Sequence, residues 1–179
     1  TPPVKTVVVD RIIYGGSAYA GSPPLAGFEL GKPIGSDTEA MARNGNTGTT
    51  YIISNTKDVS ALFKLNLQTG NAYSVGYTRT TSGAGIFDIN ALAFNDQTNE
   101  LYGIDDHNDR LLRIDTTTAS VIVSQLTITS GDPDLEGASF DHSVTPAQLY
   151  VISQDNNGEI FRINTSTGLG TLVGTTKLG

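Results

Sequence analysis

Cysteine and tryptophan are absent from this chain of 179 residues, and basic side chains are few. Without cysteine the chain can form no disulfide framework, no thiolate zinc site and no cysteine nucleophile. Lys and Arg together number 11 against 18 Asp and Glu, so the net charge is −7. Because binding to nucleic acid depends on basic side chains that neutralise phosphates, this composition disfavours nucleic acid as a partner.

Long hydrophobic runs and helical periodicity are also missing. No apolar stretch approaches the roughly 20 residues that a membrane-spanning helix needs, so we expect no membrane insertion. The 20 glycines, with many Thr and Ser, suit short strands joined by tight turns. The low Lys content and a first residue other than Met favour a secreted or extracellular-surface protein after signal cleavage, although a shortened chain would start in the same way.

Three sequence patterns recur in the same order at intervals of about 50 residues. The first is Asp-x-Glu or Asp-x-Asn, the second is Tyr-x-Ile followed by Ser or Asp, and the third is a large apolar residue followed by a basic one. They begin at Asp37, Asp88 and Asp134, at Tyr51, Tyr102 and Tyr150, and at Phe63, Leu112 and Phe161. The recurrence predicts a single domain of four units, 1–36, 37–87, 88–133 and 134–179, of which the first is degraded.

Each of the last three units reads as four short strands separated by turn residues. The predicted strands are 39–43, 50–54, 61–67 and 72–76, then 90–94, 100–105, 110–115 and 121–127, then 137–140, 148–153, 159–163 and 171–174. Four antiparallel strands in a period of about 45 residues are typical of propeller blades. The sequence therefore predicts an all-β, β-propeller-like array of about four blades. The alternatives are an open array, or a larger ring completed by a second chain.

The segment 4–9, VKTVVV, has two interpretations. It is either the innermost strand of the first blade or a swapped strand that pairs with the edge of a neighbouring subunit. In the second case Val4, Thr6, Val7, Val8 and Val9 would form an assembly strand, and the chain would be part of an extracellular filament or coat.

The first pattern places acidic side chains where the inner strands of the blades begin. Because alternate side chains of a strand share a face, the residues of this pattern should point together toward the mouth of the central channel. They are Asp37, Glu39, Asp88, Asn90, Asp134 and Glu136. Oxygen ligands of this kind suit calcium, which is the one cofactor that the sequence suggests. The alternative is purely structural, with each Asp bonding the backbone of its own turn.

Two acidic hairpins should lie on the same end of the blades. Their polar residues are Asp105, Asp106, Asn108, Asp109, Asp155 and Asn156, and we treat them as a candidate binding face. Hairpin tips also favour Asp and Asn for backbone reasons alone. Neither hairpin has the full spacing of a calcium-binding loop.

Catalytic motifs are not found: there is no Gly-x-Ser-x-Gly elbow, no phosphate-binding loop and no pair of histidines with metal-ligand spacing. The favoured interpretation is therefore a non-enzymatic module that binds or assembles. Its partner would be itself, another extracellular protein or a glycan. The alternative is a calcium-dependent hydrolase or lyase with its site around Glu39, Asp88 and Glu136.

At these residues the chain resembles bacterial secreted propeller-repeat proteins, whose blades read Leu-Tyr-x-Ile-Asp and then Leu-x-Arg-Ile-Asp-x-x-Thr-Gly. Segments 101–105 and 111–115 match best, followed by 160–164 with Gly168. The resemblance covers about three of the four units and implies a blade type, without an assigned activity. Segment 134–137 is also similar to the Asp-Leu-Glu-Gly start of blades in calcium-binding, phytase-like or esterase-like propellers. The second and third units depart from that tetrapeptide.

Overall fold

A computed structural model describes residues 37–55, 58–128, 133–155 and 158–176, which hold 14 β-strands. The predicted first unit, with its assembly strand Val4, Thr6, Val7, Val8 and Val9, lies outside the described residues. Within the described ranges no helix is long and apolar enough to cross a membrane. The predicted number of four blades is likewise not addressed by these residues, which form three sheets.

Each sheet contains four antiparallel strands in sequence order, and two of the sheets have a fifth, short strand at their outer edge. Blade A contains β1 (Asp37–Arg43), β2 (Thr50–Asn55), β3 (Ser60–Leu65) and β4 (Ala72–Tyr77), and the short β5 (Arg79–Thr80) follows it. Blade B contains β6 (Ala91–Asn95), β7 (Glu100–Asp105), β8 (Arg110–Ile114) and β9 (Ser120–Gln125), followed by the short β10 (Thr127–Ile128). Blade C contains β11 (Leu135–Asp141), β12 (Gln148–Ser153), β13 (Glu159–Ile163) and β14 (Leu169–Thr175). The prediction of an all-β, propeller-like fold is confirmed.

The connections between blades contribute two strands that the sequence did not reveal. β5 pairs in parallel with β9, and β10 pairs in parallel with β14. Each connection thus runs along the outermost strand of the following blade before the chain turns to the inner strand. The predicted strand 121–127 is therefore wrong at its end. The chain leaves blade B at Leu126, whose N–H donates to the carbonyl of Asp109 at 2.7 Å.

The core lies in two layers between successive blades, and β6 lies beside both β1 and β11. We call the side of a blade that faces the preceding unit its backward face, and the other side its forward face. Alternate residues of each strand supply the two faces. Tyr51, Ile53 and Leu62 of blade A pack against Leu101, Leu112 and Ile114 of blade B. Tyr102, Ile104 and Leu111 of blade B pack against Leu149, Val151, Phe161 and Ile163 of blade C.

The hairpin between the third and fourth strands is built in the same way in all three blades. Oδ1 of Asn66, Asp115 or Asn164 accepts two backbone N–H bonds from the following turn. This explains why Asp or Asn stands two residues after the basic residue of the third pattern in each of the three blades. The turn closes with a left-handed residue, Gly70, Ala119 or Gly168, whose φ angles are 70°, 61° and 72°.

Candidate functional site at the mouth of the blades

The first pattern lies where the inner strands begin, at what we call the mouth end of the blades. The pairing of β1 with β2 skips Glu39, and the pairing of β11 with β12 skips Glu136. Both residues therefore lie in β-bulges, which add one residue to a strand and redirect its side chain. Both glutamates are exposed. The sequence argument relied on strand alternation, but the direction of these two side chains is set by the bulges.

Blade B begins without this bulge. Asp88 has a left-handed φ of 64°, and the N–H of Asn90 donates to the carbonyl of Ile104 at 2.9 Å. Oδ1 of Asn90 is buried and has no hydrogen-bond partner within the described ranges. A buried acceptor without a donor costs about 1–3 kcal/mol, which a donor or cation reaching this oxygen would offset.

Carboxylates from blades B and C influence one another at this end. The pKa of Glu136 is raised above its usual value of 4.5, first by partial burial and then by the negative charges of Asp134 and Asp88. Gln154 lies between Asp134 and Glu136. Its Nε2 donates a hydrogen bond to the carboxylate of Asp134 and another, at 3.4 Å, to Oε1 of Glu136. The charges of Asp134 and Asp88 therefore act on Glu136, and a shared ligand site formed by these residues stays a prediction.

The side chain of Asp37 is not among those described, so its part in the cluster is not addressed. In the described portion of the chain, no three acidic or histidine side chains converge closely enough to hold a metal ion. The predicted calcium ligands, which also include Glu39 and Asn90, stay a prediction.

In the acidic hairpins of the candidate binding face, one residue is buried and structural and the others lie nearer to solvent. Asp105 is 0% exposed. Its carboxylate accepts hydrogen bonds from the backbone and side chain of Asn108, at 3.1 and 2.9 Å, and pairs with Arg110 at 3.4 Å. Burial raises the pKa of Asp105, while Asn108 and Arg110 act in the opposite direction. Asp105 thus shapes the hairpin from within and offers no surface to a ligand.

The remaining polar residues of these hairpins lie nearer to solvent. Asp109 is exposed and left-handed, with φ 51°, and Asp106 and Asn108 are half-buried. In blade C, Asp155 is exposed, and its Oδ2 accepts from the N–H of Asp134 at 3.4 Å. That bond ties the hairpin of blade C to the start of its inner strand. Asn156 lies outside the described residues.

A network that the sequence did not reveal joins the blades at the opposite end. Nε2 of His142 accepts from the N–H of Asp96 at 3.0 Å, and the side chain of Gln97 bonds Val144 and Ala147. Asn44 donates to Asn99 at 3.0 Å across the other blade boundary. Because each bond joins residues about 50 positions apart, no local pattern marks it. This use of His142 as an acceptor is structural.

A shallow cavity of about 350 Å³ lies on blade B where β7 and β9 begin and β8 ends. Its polar wall is the ion pair of Glu100 and Arg113, whose Oε1 and Nη1 are 2.8 Å apart. Burial by itself would raise the pKa of Glu100, but hydrogen bonds from Thr98, Tyr102 and Arg113 outweigh it and lower the pKa. Both charged groups are therefore already paired with each other.

Successive four-stranded blades, packed face to face around adjacent inner strands, define a β-propeller-like repeat protein. Residues 60–178 match the family described as a repeat of unknown function, DUF6923. The chain belongs to that family. No curated protein matches it.

Several solved structures share the fold at low sequence identity. An auxiliary nutrient binding protein from Bacteroides ovatus superposes with a TM-score of 0.57 at 10% identity, over 83% of this chain and 34% of that chain. A nidogen/laminin complex gives 0.53 at 12% identity, over 75% and 46% of the two chains. An auxiliary nutrient binding protein from Bacteroides thetaiotaomicron gives 0.51 at 14%, over 75% and 31%. The chain thus spans less than half the length of these structures, and the likeness shows the fold alone.

Proposed function

We propose that this chain is a non-enzymatic, extracellular binding and assembly module that recognises its ligand at the mouth end of the blades. The observation that carries the proposal is the contact of Gln154 with both Asp134 and Glu136 at the mouth end, where the negative charges of Asp134 and Asp88 raise the pKa of Glu136. Such a cluster favours a bound cation, because repulsion between the carboxylates is relieved when the cation binds. The nutrient-binding and laminin-complex proteins with similar folds support binding as the role.

Calcium is the cation that fits the chemistry best. The mouth end offers carboxylate oxygens together with the amide oxygen of Asn90, and calcium takes about 6–8 oxygen ligands. A partner protein or glycan would then bind over the exposed residues of the two hairpins, Asp106, Asn108, Asp109 and Asp155. An extracellular location would supply calcium at the concentrations that weak sites require.

Isothermal titration of the metal-free protein with calcium tests this proposal. We expect saturable binding and a higher melting temperature with calcium than with a chelator. Glu136→Gln should weaken the binding at least several-fold. Asp115→Asn is the matched control, because it also removes one negative charge but lies in a turn where blades A and C carry Asn66 and Asn164. Absence of binding, or equal loss in both variants, would refute the calcium site.

The assembly part of the proposal rests on the segment 4–9, with Val4, Thr6, Val7, Val8 and Val9 as a strand that pairs with a neighbouring subunit. Light scattering on the purified protein should then give a particle larger than a monomer. Removal of residues 1–9 should reduce that particle size. A monomer at every concentration would refute this part and leave the calcium-binding part untouched.

A calcium-dependent hydrolase or lyase is the second candidate. It is favoured by one observation, the exposed Glu136 with its raised pKa, since a general acid or base works best when its pKa approaches the working pH. A screen of ester, phosphate and glycan substrates with and without calcium tests it. Turnover that disappears in Glu136→Gln would favour this candidate over a binding module.

A further inference from the structure

The forward face of blade C carries the residue types that the other blades bury. Strand register aligns Tyr150, Ile152, Ile160 and Val173 of blade C with Tyr51, Ile53, Leu62 and Val75 of blade A. The same register aligns the first three with Tyr102, Ile104 and Leu111 of blade B. In blades A and B these side chains form one half of an inter-blade core layer.

The same positions differ in exposure. In blade A, Ile53 and Leu62 are 0% exposed because blade B covers them. In blade C, Ile152 is 37% and Val173 is 60% exposed. Exposed apolar side chains that stand singly are ordinary, but a set that matches two buried layers position by position indicates a face built for another sheet.

Two residues of opposite charge on this face suit its pairing with the same face of a second copy. Arg162 pairs with Tyr150 and therefore lies on the forward face. Asp141 lies there too, because it is two residues beyond Ser139, which also pairs with Tyr150. Arg162 is exposed and has no ion-pair partner within the ranges that the structure describes. When two copies meet about a two-fold axis, every residue of the face meets a residue of the same face. Arg162 of each copy can then lie opposite Asp141 of the other.

We propose that the forward face of blade C docks a second copy of this chain, blade C against blade C about a two-fold axis. The inference names a surface for the self-association in the proposed function and rests on that part of it. Four strands about 4.8 Å apart and six residues of about 3.4 Å give a face of about 19 by 20 Å. An interface of that size lies below the range of stable complexes, so the dimer should be weak and should dissociate on dilution.

Sedimentation velocity over about 5 to 500 µM tests the proposal, because this range brackets the micromolar dissociation constant of a weak dimer. The wild-type chain should shift from monomer to dimer as concentration rises. Ile152→Asp and Val173→Asp should each raise the dissociation constant at least tenfold. Leu67→Asp is the matched control, since Leu67 is 63% exposed and lies in a turn away from this face. Circular dichroism melting confirms that each variant is folded.

A charge exchange gives a second, independent readout. Arg162→Glu alone should weaken the dimer, and the addition of Asp141→Lys in the same chain should restore it. A wild-type chain that stays monomeric over the whole concentration range overturns the proposal. In that case, a sharply lowered melting temperature of Ile152→Asp would show that residues of the same chain cover the face. A third outcome is that the wild type associates, that Ile152→Asp does not change the association, and that removal of residues 1–9 abolishes it. This outcome would refute the proposed surface, while assembly through the N-terminal strand would stand.

Discussion

The side chain of Asn55 in blade A holds the backbone of Ile89 at the start of blade B. Its Oδ1 accepts the N–H of Ile89 at 3.3 Å, and its Nδ2 donates to the carbonyl of the same residue at 3.5 Å. The side-chain amide thus satisfies both backbone groups of Ile89, as a neighbouring strand would, although the two blades belong to different sheets. Oδ1 also accepts from the hydroxyl of Ser60 at 2.5 Å.

Replacing this amide should therefore loosen the boundary between blades A and B. Asn55→Ala should lower the free energy of unfolding by about 1–3 kcal/mol, because it leaves partly buried backbone groups of Ile89 without partners. Asn55→Asp keeps the acceptor and loses the donor, so its loss should be smaller. Urea denaturation measures both. Equal stability of wild type and Asn55→Ala would show that the bonds across the boundary contribute nothing net.

The buried carboxylate of Asp105 should be a second point of sensitivity. Asp105→Ala should cost about 2–3 kcal/mol, since it leaves the amides of Asn108 and the guanidinium of Arg110 without their acceptor. Asp105→Ser should cost less, because Ser54 and Ser153 hold the same buried position in the other blades. The exposed change Asp109→Asn in the same hairpin should stay within about 0.5 kcal/mol of wild type. Thermal unfolding of the three variants checks the order.

The raised pKa of Glu136 predicts a pH-dependent stability with a definite sign. The folded-state pKa lies above the usual 4.5, so the folded state binds this proton more tightly than the unfolded state does. At pH below 4.5 both states are protonated and the charge has no effect. As pH rises through 4.5 and then through the folded pKa, the ionised carboxylate destabilises the fold.

Glu136→Gln should accordingly stabilise the metal-free protein at neutral pH, and the gain should disappear below about pH 4.5. Melting temperatures of the two proteins between pH 4 and 8, about the range in which the carboxyl titrates, provide the measurement. Saturating calcium should reverse the order at neutral pH if the ion binds at this carboxylate. A gain that is independent of pH would contradict the electrostatic explanation.

Two equivalent glycines should respond very differently to alanine. A Cβ on Gly168 would overlap the carbonyl oxygen of Gln125, where the connection through β10 passes the hairpin of blade C. A Cβ on Gly70 would meet no atom within 4 Å. Both residues are left-handed, so Gly70→Ala should cost about 1 kcal/mol for its backbone alone. Gly168→Ala should cost about 3–5 kcal/mol, because the backbone must also move. Similar losses in the two variants would mean that β10 does not lie against blade C in solution.

The inner-strand positions show where sequence reasoning about the mouth end succeeded and where it failed. The recurrence of the first pattern correctly marked where the inner strands begin, because each unit repeats one blade design, while a ligand site formed by its residues stays a prediction. It could not show the bulges at Glu39 and Glu136, since a bulge depends on the register of the partner strand. Nor could it show that Asp105 is buried whereas Asp109 is exposed, because both are typical turn residues.

Local and periodic properties of this chain were decided by its sequence. Apolar residues at alternate positions and turn residues between them determine short antiparallel strands, and repetition of one pattern determines blades of one design. Tertiary structure alone decided the contacts between residues far apart in the chain. These are the connecting strands β5 and β10, the bond from Asp96 to His142, and the exposure of Ile152 where Ile53 is buried. The physical reason is that a side chain's burial depends on the neighbouring blade, and the local sequence carries no record of that neighbour.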